Sequence, residues 1–342
     1  MRPVAVLLAA LAAPQVLFHI ADTRIGEASG IARGIASPGV VYVQNDSGDS
    51  ARFFALDART GATLATYTVP GATNVDWEDI AVARDRRGVP SVWIADIGDN
   101  DANRAEVRVY RVDEPHVRAG AVATTAAPET WRLRYPGGPI DAESLAVAPG
   151  GAAYIVTKAL LGGSTVYALA PRPSGAVQTV RQVGEIRFQL TGTLGGPNQF
   201  GQLTATGASL SADGSVFAVR TYTDAYLWRV AHGDVAAALR AAPVRVALPA
   251  QPQGEGIAVD GKRLLIDTEG AGSAVYAVPL PALTAAPPAS RKATPTPTPS
   301  SATATPAESK PRSRRTEVLV GVGLIVVVLG ALGLGLRRAR RR

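Results

Sequence analysis

Four glutamates stand at the openings of apolar runs: Glu27 before ASGIA, Glu78 in WEDIAV, Glu143 in ESLAV and Glu255 in GEGIAV. Asp79 adjoins the second of them. Other polar residues close the runs that follow: Asn45, Asp46, Asp96, Asp99, Lys158, Arg220 and Glu269. Carboxylates gathered at one place repel unless a cation or basic groups compensate, and hard oxygen ligands suit Ca²⁺ or Mg²⁺. The metal-ligand candidates are therefore Glu27, Glu78, Asp79, Asp96, Glu143, Glu255 and Glu269, with Ca²⁺ the expected ion. Lys158, Arg220 and Arg104 are candidates for holding an anionic group beside it. Each glutamate also has a plain structural use, accepting backbone N–H groups of a neighbouring strand. The basic residues can likewise neutralise the carboxylates with no ligand present. Both readings stand at this point.

Other chemistries find no support. The chain has no cysteine, which excludes a disulfide framework and every thiolate site. His19, His116 and His232 fall in unrelated places and form no metal spacing. No G-x-S-x-G, G-x-G-x-x-G or P-loop pattern occurs. Trp77, Trp93, Trp131 and Trp228 are scattered one to a run, as packing residues are. The net charge of +7 does not mark a nucleic-acid binder. From Arg291 onward there are 11 basic residues against 2 acidic ones, so the preceding 290 residues carry a charge of −2.

The elements that position the glutamates repeat. Five segments share one plan: a small or acidic pair, a strand, a Gly-containing turn, a second strand rich in Val, Ile and aromatics, then a third. The second strands are VVYVQN, SVWIADI, AAYIVTK, SVFAVRT and RLLIDTE; the third include RFFALD, VRVYRV, TVYALA, AYLWRV and AVYAVPL. The openings lie 51, 65, 65 and 47 residues apart. Four-stranded repeats of about 40–50 residues are the pattern of a β-propeller. The expected fold is thus all-β, with five blades by repeat count, or six if the longer intervals hide one. A β-sandwich is the alternative architecture. Fourth strands read as TLATYTV, TWRLRYP, EIRFQL and VRVALP. The last repeat lacks one, and Val16 to Ile20 from the N-terminus can fill its place and close the ring. In such a ring the first strands line the axis, and the glutamates come together there. The fourth repeat breaks the pattern, with Ala208-Ser209 in place of an acidic pair.

The two ends differ from the middle. Residues 1–13 read as an export signal, with Arg2 ahead of the apolar run Val4–Ala13. Residues 14–284 are the expected propeller. Residues 285–316 form a Pro/Thr/Ser-rich linker, an extended and disordered stalk. Residues 317–336 read as one transmembrane helix, with 19 uncharged residues from Val318. Residues 337–342 are a basic cytoplasmic tail. The expectation is a single-pass type I protein of the cell membrane, its propeller outside the cell. Its partners would be an extracellular ligand or protein and, through the helix, the membrane, with no nucleic acid.

The combination DWEDIAV, IADIGDN, DAESLAV and GEGIAVDG resembles secreted bacterial propellers of the phytase-like and SdiA-regulated type, and uncharacterised actinobacterial secreted propellers. The resemblance spans about Ile25 to Leu280. It implies an axial surface rich in carboxylates, which in calcium-dependent relatives binds cations and phosphate esters. Two functions follow: a ligand- or protein-binding module stabilised by a cation, or a Ca²⁺-dependent phosphoesterase or lactonase-like hydrolase. The residues do not decide whether the protein is an enzyme.

Overall fold

The computed structural model describes residues 13–283. The export signal, the linker, the transmembrane helix and the basic tail expected above lie outside the described residues, save Ala13 at the edge of the first. Among the described residues no helix is long and apolar enough to cross a membrane.

The apolar runs become short strands because β-branched and aromatic residues fit a pleated surface. Polar turns separate them, with Gly214 and Gly261 at positive φ in the first hairpins of two later repeats. Strand β1 (Gln15–His19) comes first. Blade one is β2 (Ala28–Arg33), β3 (Val40–Asn45), β4 (Arg52–Asp57) and β5 (Thr63–Thr68). Blade two is β6 (Trp77–Arg84), β7 (Pro90–Asp96) and β8 (Val107–Asp113); after β9 (Ala121–Thr124), β10 (Glu129–Arg134) completes it. Blade three is β11 (Ala142–Val147), β12 (Ala153–Thr157) and β13 (Gly163–Ala168); after β14 (Val177–Thr179), β15 (Arg181–Arg187) completes it. Blade four is β16 (Ala205–Leu210), β17 (Val216–Thr221), β18 (Asp224–Arg229) and β19 (Val244–Ala247). Blade five is β20 (Ile257–Asp260), β21 (Arg263–Ile266) and β22 (Ala274–Pro279), closed by β1.

The closure is antiparallel, with Gln15 opposite Ala277 and His19 opposite Ala274. The described residues thus form a five-bladed propeller, and no sixth blade hides in the long intervals. The extra residues there make β9 and β14. Each runs back to the preceding blade and adds a parallel fifth strand, β9 beside β5 and β14 beside β10. Blade three's outer strand also starts earlier than EIRFQL suggests, at Arg181.

The core is a ring of layers rather than one centre. Each apolar cluster lies between neighbouring blades: Tyr42 and Phe53 meet Trp77 and Tyr110 between blades one and two, and Trp93 and Trp131 face the Tyr167 layer between two and three. The second strands are therefore buried on both faces, as in β3 and β17. The four tryptophans are all buried in these layers. The Trp93 and Trp131 rings lie 5.0 Å apart, tilted by 35°.

At the axis the inner strands come too close for most side chains. A Cβ on Gly30 would lie 2.6 Å from the Ile80 nitrogen, and one on Gly256 would lie 2.7 Å from the Ile31 nitrogen. Asp79, one step along on β6, fills the space beside Gly30, and the Asp267 carboxyl lies against Gly256. Its Oδ1 accepts from the Ile80 N–H at 2.8 Å, and its Oδ2 from Leu145 at 2.7 Å and Ala208 at 3.1 Å. One carboxyl thereby ties three inner strands together across the channel.

Candidate metal centre at the axial mouth

The pairing register decides which side chains reach the mouth. On each inner strand of blades one to four the register slips at one residue, a β-bulge: Ser29, Glu78, Glu143 and Thr206. Bulges re-aim a side chain that regular pleating would hold in the sheet. In blade five Ile257 pairs with Ile266, which puts Glu255 at the same step. Two of the five positions carry hydroxyls that stitch blades together. Ser29 Oγ donates to the Glu78 carbonyl at 2.7 Å, and Thr206 Oγ1 to the Glu255 carbonyl at 3.0 Å. The other three are Glu78, Glu143 and Glu255, all buried.

Glu27 is not the fourth member. Aligning Ile31, Ile80 and Leu145 by register puts Glu27 two residues ahead of the bulge, level with Asp76 and Asp141. It is exposed, and its backbone pairs with Asp46 and Asn45. The carboxylates that do join the glutamates are Asp46, Asp76 and Asp141. Two triads result, Asp46–Asp76–Glu78 and Glu78–Asp141–Glu143, each with ligand oxygens all within 4.8 Å of one another. Oxygens bound to one Ca²⁺ at about 2.3–2.6 Å are at most about 5 Å apart, so each triad fits one ion. Glu78 belongs to both.

Surrounding loops hold these ligands. Asp96 Oδ1 accepts from the Asp76 N–H at 3.2 Å and from Arg104 Nη2 at 2.7 Å, while Arg104 Nη1 donates to the Gly98 carbonyl at 2.6 Å. The Asp99 N–H donates to Asp141 Oδ1 at 2.8 Å. A Cβ on Gly98 would overlap the Glu78 and Asp76 carboxylates, so a side chain there would close the site. Arg104 and Asp96 thus clamp the loop that shapes one triad. Arg220 is spent differently. It is wholly buried and donates to the carbonyls of Gly256 at 2.7 Å and Asp267 at 2.9 Å, and to Gln251 at 2.6 Å. It braces blade four against blade five. Asp79 has both oxygens committed to backbone. Glu269 accepts from Gln253 Nε2 at 2.6 Å at the edge of the mouth. Of the expected anion-holding residues, Lys158 alone faces the triads, bonded to Glu143 and 3.9 Å from Asp141.

One ammonium is too little charge for this many carboxyls. Burial, then Glu143 and Asp46, push Glu78 well above the usual carboxylate range. Burial, then Asp76 and Glu143, push Asp46 up to about 9. Glu143 rises by burial to about 7, with Lys158 pulling the other way. Glu255 is pushed well up by burial and by Glu143 and Glu269. Its Oε2 is buried with no hydrogen-bond partner, and so is Asp46 Oδ1. A divalent cation in the triads would ionise their carboxyls and use the unpartnered Asp46 oxygen; Glu255, expected among the ligands, belongs to neither triad.

Asp76 and Asp141 carry one legible signal, the D-x-E spacing of Asp76–Glu78 and Asp141–Glu143. Asp46 has no such mark and is brought in by the end of β3.

No family model matches the chain, and no curated protein matches it. Among solved structures it is similar to the PQQ-bound form of an aldose sugar dehydrogenase from Streptomyces coelicolor. The identity is 13% and the TM-score 0.45, over 79% of this chain and 99% of that one.

Proposed function

We propose that the axial mouth binds a hard divalent cation, Ca²⁺ first, and that the propeller is a cation-dependent binding module. The observation that carries this is the pair of carboxylate triads sharing Glu78, each with oxygens within 4.8 Å. Their all-oxygen chemistry favours Ca²⁺ over softer metals. Display outside the cell is part of the proposal; the apolar runs at Val4–Ala13 and Val318–Leu336 and the Pro/Thr linker between propeller and second run support it.

Calorimetric titration of Ca²⁺ into residues 13–283 tests the cation. That span contains every strand among the described residues and the closure of the ring. Binding should be weakened at least about tenfold in Glu78→Gln, since ligand charge sets affinity. Absence of binding at millimolar Ca²⁺ would end this reading.

One observation favours a second reading as a Ca²⁺-dependent phosphoesterase or lactonase. Glu143, held near about 7 beside Lys158, can exchange a proton at neutral pH. Turnover of an activated phosphate ester or lactone, lost in Glu143→Gln at Ca²⁺ concentrations that saturate the variant, would replace the passive module by an enzyme.

A further inference from the structure

The two triads are built alike. Each takes a D-x-E pair from the head of one inner strand, Asp76 and Glu78 in blade two, Asp141 and Glu143 in blade three. Each adds one carboxylate from the blade before, Asp46 or Glu78. They differ in what the end of a second strand brings to them. Asn45 pairs with Ala28 and Thr157 with Ala142, so Asp46 and Lys158 stand at the same step of blades one and three. The backbone agrees: the Asp46 N–H donates to the Glu27 carbonyl and the Lys158 N–H to the Asp141 carbonyl, both at 2.9 Å. Blade one thus presents a carboxylate where blade three presents an ammonium.

That ammonium attends one triad. Lys158 Nζ is bonded to Glu143 and lies 3.9 Å from Asp141, two of the three carboxyls of the second triad. Its side chain is only 17% exposed, so it is held there rather than in solvent. Asp46 and Asp76 have no such partner. Among the described residues no lysine or arginine pairs with either, and the Arg104 guanidinium is taken by Asp96 at 2.7 Å. Asp46 Oδ1 is buried with no hydrogen-bond partner.

Charge therefore separates two sites that geometry makes equal. A divalent ion in the second triad would share the Glu143 carboxyl with the ammonium, and two cations that close repel strongly where little water screens them. An ion in the first triad meets three carboxyls and no cation of the protein.

We infer that the mouth takes a single divalent ion, in Asp46–Asp76–Glu78, and that Lys158 fills the second triad as a tethered cation, setting both the number and the place of bound ions. The inference rests on the cation reading above and assigns its ion to one of the two triads.

Calorimetric titration of Ca²⁺ into the full chain reads stoichiometry and affinity together. The wild type should bind one ion. Asp76→Asn should weaken binding at least about tenfold, since ligand charge sets affinity. Asp141→Asn should stay within about threefold of wild type, because its charge acts on the ion only from a distance. Lys158→Met should bind two ions, and adding Asp141→Asn to it should remove the second. A lysine with a purely structural role would leave the number of ions at one throughout. Two ions in the wild type, one in a folded Lys158→Met, a second ion that survives Asp141→Asn, or a loss in Asp141→Asn as large as in Asp76→Asn would each overturn the inference and leave the cation reading standing. If Lys158→Met does not fold, the contrast between Asp76→Asn and Asp141→Asn decides, since each of these changes only relieves repulsion in the ion-free protein. Absence of binding at millimolar Ca²⁺ would overturn both the inference and the cation reading.

Discussion

Glu78 and Asp79 are neighbours on β6, both buried, both carboxylic acids, and both pushed above the usual carboxylate range first of all by burial. Their surroundings are opposite. Asp79 points into the channel and accepts three backbone N–H groups from three inner strands. Glu78 sits on the bulge and meets Asp46, Asp76, Asp141 and Glu143. Donors around an acid build structure, and acids around an acid await a cation. Burial and a displaced pKa therefore do not separate a structural carboxyl from a binding one. The identity of the partners does.

The comparison breaks most visibly at Asp79. Replacing it with alanine leaves the Ile80, Leu145 and Ala208 N–H groups without their acceptor at the axis. Asp79→Ala should lower stability by on the order of 3–5 kcal/mol in urea unfolding, with or without Ca²⁺. A loss confined to the Ca²⁺-loaded protein would show that Asp79 belongs to the centre instead.

A pH series in chelator probes the other side. The folded values of Glu143 and Asp46, about 7 and about 9, lie above those of an unfolded carboxyl, so the folded state binds more protons. The contribution of these two groups to stability is fully present below about 4 and is lost as pH rises through these values. The decline should be on the order of 1–3 kcal/mol, allowing for the partial exposure of Asp46. Saturating Ca²⁺ should flatten it. Thermal melts across that range decide, and a curve that rises towards pH 9 in chelator would refute the crowding argument.

Lys158→Met removes the one ammonium facing the triads. Glu143 should then titrate above about 7, followed by carboxyl carbon NMR, and Ca²⁺ should bind more tightly by a few-fold, because the ammonium no longer competes with the ion. Weaker binding would instead make Lys158 a support of the site. The smallest effect is expected at Glu27. Glu27→Gln should change Ca²⁺ affinity and stability by less than about 0.5 kcal/mol, since the side chain is exposed and outside both triads. A clear loss of affinity would restore it to the ring.

Most of the scaffold was legible in the chain. Alternating apolar runs, Gly turns and a recurring opening implied the blades, and the missing last strand implied that Val16–Ile20 returns to close the ring, as β1 does beside β22. That basis put Glu78, Glu143 and Glu255 at one step of their strands, and the triads take in the first two. Glu27 could not be placed correctly by residue type. Strand register follows the apolar positions Ile31, Ile80 and Leu145, and a bulge shifts every polar residue before it by a step. Arg104 and Arg220 looked equally available for an anion. Besides Asp96 for Arg104 and Gln251 for Arg220, their partners are carbonyls of Gly98, Gly256 and Asp267, and every residue has a carbonyl, so the side-chain order does not mark these contacts.

What residue order settles here is local: strand period, turn positions, repeat length and the D-x-E pairs are all properties of segments a few residues long. Which carboxyl meets donors and which meets other carboxyls depends on five strands converging on one axis from distant parts of the chain. The separation of Asp79 from Glu78 follows from that convergence. Gly30 leaves room in the channel for one side chain, the bulge lifts the other to the mouth, and only the closed ring brings Asp46, Asp76, Asp141 and Glu143 to meet it.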